Sequence, residues 1–195
     1  NTASVRALTT AAINAMSTDQ ISVLRTTQIG ALSTAQIAAM NTDQVASLTS
    51  TQMGTLSSAQ AAALNTAQAA AIETTDIGQL STSAIRALST SAVAALNTDQ
   101  LAALTSTQVA ALSSTQAAAL TSNQINGIET TDLTALNTAS VRSLSTNAIN
   151  ALTTDQVAVL STSQIGALGT NQVQALRTDE VAGLTSTQVG ALSSA

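Results

Sequence analysis

Histidine, cysteine, lysine, proline and all three aromatic residues are missing from this 195-residue chain. Without histidine, no side chain changes charge near neutral pH unless its surroundings force it. Without cysteine and lysine there is no thiol or amine nucleophile. The imidazole and thiolate ligands of zinc and copper sites are gone as well. No aromatic face remains on which a sugar or base could stack. Ten acids, five arginines and many hydroxyl and carboxamide groups are left. This inventory predicts no enzyme, and no catalytic, cofactor-binding or metal-ligating residue.

Positive charge is scarce too, with a net charge of −5. Phosphate binding needs clustered cations, so nucleic acid is not an expected partner. No apolar run approaches the length of a membrane span. The absence of cysteine excludes disulfide staples and leaves the compartment open. The chain starts on Asn1 and stops partway through a repeat, which reads as a segment of a longer array or a processed product.

What is present is one eight-residue unit, written twenty-four times in unbroken phase, with Ser193, Ser194 and Ala195 beginning another. Counting places from Asn1, place 2 is always Thr or Ser, as in Thr2, Thr10 and Ser50. Place 8 is Leu except for Met16, Met40, Ile72 and Ile128; place 5 is always apolar, and place 4 is Gln in fifteen octets. Hydrophobic residues make up 45% of the chain. That content and the low net charge oppose the composition of disordered chains. A repeat array is expected, without linker or domain boundary over 1–195.

An uninterrupted helix does not suit the octet, because eight steps of about 100° rotate each apolar pair about 80° from the last. Neither a heptad nor an eleven-residue period is present, so a coiled coil fails as well. In a strand, places 2, 4 and 8 would share a face and mix polar with apolar residues. A broken helix fits better. With Ser17 as N-cap, Gln20 completes a capping box and Met16 staples to Ile21; Asn41 with Gln44, and Thr153 with Gln156, repeat the arrangement. Asp19, Asp43, Asp99, Asp155 and Asp179 then fall in first turns, where the helix dipole favours acids.

Place 1 also holds Arg25, Glu73, Glu129, Gly169 and Arg177, which cap poorly. The strictness of place 2 therefore favours place 2 as the cap, with place 1 as the turn that ends the preceding helix; Asn65 and Gly169 suit that turn. The place-1 capping box stays open, as does a buried ladder of place-2 hydroxyls. In every register the prediction is an all-α solenoid of very short helices, one per octet. Ordering eight residues costs roughly 10 kcal/mol, more than a cap and two buried aliphatic side chains return. Octets must therefore stack, with places 5 and 8 forming the seam. The alanines at place 5 (Ala61, Ala69, Ala117) thin that core and mark tighter packing or a contact with another subunit.

Longer blocks recur. Glu73-Thr74-Thr75-Asp76 returns as Glu129-Thr130-Thr131-Asp132, and Asn41 to Leu64 is echoed by Asn97 to Leu120, both seven octets on. Asn1 to Arg6 returns at Asn137 to Arg142. The pairs Glu73/Asp76 and Glu129/Asp132 are the most site-like feature. They are read as helix-start acids, with Arg86 and Arg142 as surface counter-charges, since no calcium-loop pattern accompanies them. The Thr/Ser rows offer a hydroxyl face of the kind that could meet ice or glycans, and capping explains the same residues. Ser and Thr are also open to O-glycosylation, whereas N-glycosylation sequons are absent.

Octets such as Ser33-Thr34-Ala35-Gln36-Ile37-Ala38-Ala39-Met40 and Asn97-Thr98-Asp99-Gln100-Leu101-Ala102-Ala103-Leu104 resemble repeat tracts of very large bacterial exported proteins of adhesin-like or surface-filament type. The resemblance covers the whole chain and implies a cell-surface setting; it transfers no functional residue. The expectation is a structural protein, a protomer or segment of an extracellular filament or surface layer, whose main partner is itself. A spacer stalk of a giant adhesin, and an ice- or glycan-binding module, are the alternatives.

Overall fold

In a computed structural model, which describes residues 1–192, every octet forms one short helix, from α1 (Thr2–Arg6) to α24 (Ser186–Leu192). Helix number therefore equals octet number. The all-α reading holds, and the seam of places 5 and 8 is the core: Ile37, Met40, Val45 and Leu48 are buried, as are their counterparts through most of the chain. The chain forms two compact units, Asn1–Leu96 and Asn97–Ala195.

The cap lies at place 1. In α5 (Thr34–Ala38), Ser33 is extended (φ −71°, ψ 160°) and its Oγ accepts the Gln36 N–H at 3.2 Å. Gln36 Oε1 returns the bond, accepting the Ser33 N–H at 2.8 Å. This reciprocal box overturns the preference for a place-2 cap. Place 2 is instead the first helical residue, and its side chains are exposed or half-buried, so no buried hydroxyl ladder forms among the described residues. Place 1 can hold Arg25 or Gly169 because half of the box needs no place-1 side chain. The Arg25 and Gly169 N–H groups still donate to Gln28 and Gln172, each at 2.9 Å.

Each helix ends without a left-handed residue, since no positive φ occurs among the described residues. Asn65 and Gly169, expected in the turn that ends the preceding helix, are ordinary extended N-caps (φ −82° and −77°). The corner is made where place 8 turns extended, as at Leu88 (φ −54°, ψ 138°), and place 1 stays so, as at Ser89 (φ −64°, ψ 154°). Two extended residues carry the chain out of one helix and into the next cap.

Within each unit, a helix packs against the one three octets along, as α1 does with α4 (Thr26–Ile29) and α21 (Thr162–Gly166) with α24. Hydrogen bonds described below reach four octets back. One solenoid turn thus takes between three and four octets. Places 4, 5 and 8 point inward, and place 3 is exposed in every described octet. No described helix is long and apolar enough to cross a membrane.

Candidate functional site: the inter-turn glutamine ladder

The most distinctive chemistry lies inside the coil, at place 4. Gln60 is 2% exposed, a degree of burial that a carboxamide tolerates only when its hydrogen bonds are satisfied. Its Oε1 accepts the Ser57 N–H at 2.9 Å, and its Nε2 donates to the carbonyls of Ile29 and Leu32, both at 2.9 Å. Those carbonyls sit at places 5 and 8 of the octet four earlier. One side chain therefore caps its own helix and ties down the turn beneath it.

The same pattern runs through Gln44 to Ile13 and Met16, Gln52 to Ile21 and Leu24, and Gln68 to Ile37 and Met40. In the second unit Gln156 reaches Ile125 and Ile128, and Gln172 reaches Val141 and Leu144. No other common side chain offers this combination of an acceptor and two donors on a neutral group of this length. The capping half of the ladder is visible at i, i+3 in the sequence, but the tying half spans 28 and 31 residues. It becomes visible only once the octets per turn are known.

Three variations show what the ladder requires. Ser140 keeps one bond, its Oγ donating to the Leu112 carbonyl at 2.9 Å. Glu180 has no side-chain amide, and Arg177 supplies the donors: its Nη1 bonds the Asn150 carbonyl and its Nη2 the Leu152 carbonyl at 3.0 Å. Arg177 Nη2 also lies 2.9 Å from Glu180 Oε1, an ion pair without a directed hydrogen bond. Asp76 and Asp132 are buried, and each accepts a hydrogen bond from a place-2 hydroxyl three octets back, Ser50 and Ser106 respectively.

The acidic pairs of the sequence are thus split. Glu73 and Glu129 are exposed N-caps without a side-chain cap bond, while their partners Asp76 and Asp132 turn inward. No group of three or more His, Cys, Asp or Glu that could hold a metal ion occurs among the described residues. Arg86 and Arg142 lie exposed in the last turns of α11 (Thr82–Ala87) and α18 (Thr138–Ser143), where a helix C-terminus favours cations. Both ion pairs found among the described residues belong to Arg177.

The place-5 alanines do mark tighter packing. Ala61, Ala69 and Ala117 are each followed, 23 positions on, by a small place-4 residue: Ala84, Ala92 and Ser140. All six are fully buried. Their helices pack extensively on one another within each unit: α8 (Ser58–Ala62) with α11, α9 (Thr66–Ala70) with α12 (Thr90–Ala95), and α15 (Ser114–Ala118) with α18.

Family models supply one match to this pattern. The description "ALTTAQ repeat" fits residues 1–34, 27–58, 69–106, 125–162 and 157–194. The chain belongs to the ALTTAQ repeat family. Read as residues, those six letters run from place 7 of one octet to place 4 of the next, as in Ala31-Leu32-Ser33-Thr34-Ala35-Gln36. The ALTTAQ string thus ends on the residue that ties one turn to another. No curated protein matches the chain.

Proposed function

We propose that this chain is a structural protein, a protomer or segment of an extracellular filament or surface layer that works by associating with copies of itself. The observation that carries this reading is the glutamine ladder. Within each unit the glutamine-bearing octets hold the turn beneath by the same bonds, so the fold extends by repetition and its polar interior is occupied in holding itself together. The exposed surface is made largely of small residues and hydroxyls, with few charges to keep neighbouring copies apart. The resemblance of the octets to exported repeat tracts supports a cell-surface setting.

Negative-stain electron microscopy of the purified chain across a concentration series tests the proposal. Ordered polymers or lateral bundles are expected. A chain that stays monomeric at the highest concentrations overturns it and leaves the passive spacer of a large adhesin as the better reading. A hydroxyl-face function has one supporting observation: the outward pairs at places 1 and 3, such as Ser81 with Ser83 and Ser89 with Ser91, lie 3.0 Å apart in repeated rows. Thermal hysteresis or glycan-array binding is its test.

A further inference from the structure

The ladder is interrupted in two places, in the same way. In the first unit, octets five to nine carry Gln36, Gln44, Gln52, Gln60 and Gln68, each bonded to the turn beneath. Octets ten to twelve carry Asp76, Ala84 and Ala92 instead. In the second unit, octets seventeen to nineteen carry Asp132, Ser140 and Ala148. Three consecutive octets are most of a solenoid turn. By the register of the ladder, the carbonyls facing them are those of Val45, Leu48, Met53, Leu56, Ala61 and Leu64 in the first unit, and none of Asp76, Ala84 or Ala92 has an amide to donate.

Two further features coincide with the gaps. The small-against-small pairs Ala61/Ala84, Ala69/Ala92 and Ala117/Ser140 fall in these turns, where a regular interface sets Ile37 against Gln60 at the same spacing. The shorter side chains let these helices approach closely, so the turns are held by close apolar packing and not by the directional glutamine ties. The specific ties that remain are one hydroxyl–carboxylate bond in the first unit, Ser50 to Asp76, and two bonds in the second, Ser106 to Asp132 and Ser140 to the Leu112 carbonyl.

We propose that each unit contains one built-in yielding seam, between residues 41–64 and 73–96 in the first and between 97–120 and 129–152 in the second. At that seam one turn parts from the next while glutamine-tied turns stay closed. The seam gives the coil a defined place to lengthen under load or to open reversibly, as low-stability cooperative segments do in other folds. It is a property of the fold and stands whether or not the chain builds filaments.

Hydrogen–deuterium exchange on the full chain, resolved by octet, is the test. Amides of residues 73–96 and 129–152 are expected to exchange about tenfold or more faster than those of 33–72. Asp76→Gln, 23 residues after the full-sized Met53, restores a carboxamide facing the Val45 and Leu48 carbonyls and is expected to slow exchange in octet ten toward the level of the tied octets. Gln60→Ala makes the opposite change and is expected to bring octet eight up to seam level. Uniform exchange along the chain overturns the proposal. So does a Gln60→Ala protein that remains folded with unchanged exchange, and this second measurement decides the matter if Asp76→Gln does not fold.

Discussion

Arg177 and Glu180 together replace one glutamine. Glu180 Oε2 accepts the Arg177 N–H at 2.6 Å, as a Gln Oε1 does elsewhere, while the Arg177 guanidinium bonds the Asn150 and Leu152 carbonyls of the turn beneath. The carboxamide's two roles have been divided between two charged residues, which must then be kept or lost together.

Removing Arg177 alone should therefore be costly. The Glu180 side chain is fully buried and the Arg177 side chain 39% exposed. Arg177→Ala should destabilise by about 2–3 kcal/mol, less than a fully buried pair because solvent screens the arginine. Arg177→Ser with Glu180→Gln restores the common octet and should recover most of that loss. Urea denaturation measures both; a double variant no more stable than the single one refutes the division of roles.

The ladder itself is tested at Gln44. Gln44→Met keeps the volume but leaves the Asn41 N–H and the Ile13 and Met16 carbonyls without their partner, and should cost about 2–3 kcal/mol. Gln20 makes the same capping bond but is exposed, so Gln20→Met should cost about 1 kcal/mol or less. Equal losses at the two sites would show that the tie between turns contributes nothing.

Cap register is open to a paired substitution. Ser33 Oγ accepts the Gln36 N–H, so Ser33→Ala should lower stability by about 1 kcal/mol. Thr34 is exposed at the first helical position, and Thr34→Val should change stability by less than about 0.5 kcal/mol. Thermal unfolding followed by circular dichroism separates the two, and a reversed order would return the cap to place 2.

Overpacking probes the alanine contacts. Ala69→Leu inserts bulk where α9 meets Ala92 of α12 and should destabilise by about 1–3 kcal/mol. Val45→Ile, at place 5 of a glutamine-tied octet, should stay within about 1 kcal/mol, because isoleucine already fills that place at Ile37. Denaturation midpoints give the comparison.

These residues show how far the sequence could be read. The short helix, its first-turn acids and the Ser17–Gln20 box are legible because capping is local, a matter of three residues. The core at places 5 and 8 follows from their constancy. The cap is less legible: Gln Oε1 serves the place-1 backbone directly, so place 1 varies to Arg or Gly and does not look like a cap. Among the described residues, the constancy of Thr or Ser at place 2 has no common hydrogen-bond partner to account for it. The second role of Gln60 stayed hidden because its acceptors lie a whole turn away. The pairing of Ala61 with Ala84, and of Ala69 with Ala92, was written in the sequence at a spacing of 23 and becomes meaningful only beside the coil.

The reach of these partnerships also bears on how such a chain is inherited. Ser50 and Asp76 are 26 residues apart, and Gln60 lies 31 from Ile29. Gain or loss of a single octet between Ser50 and Asp76 parts those two, whereas a glutamine meets the same carbonyls on whichever octet lies four back. A copied block of seven octets carries both members of each partnership with it, which is how Ser50 and Asp76 reappear as Ser106 and Asp132. The heritable module is therefore longer than the visible repeat: it must span at least one full circuit of the coil.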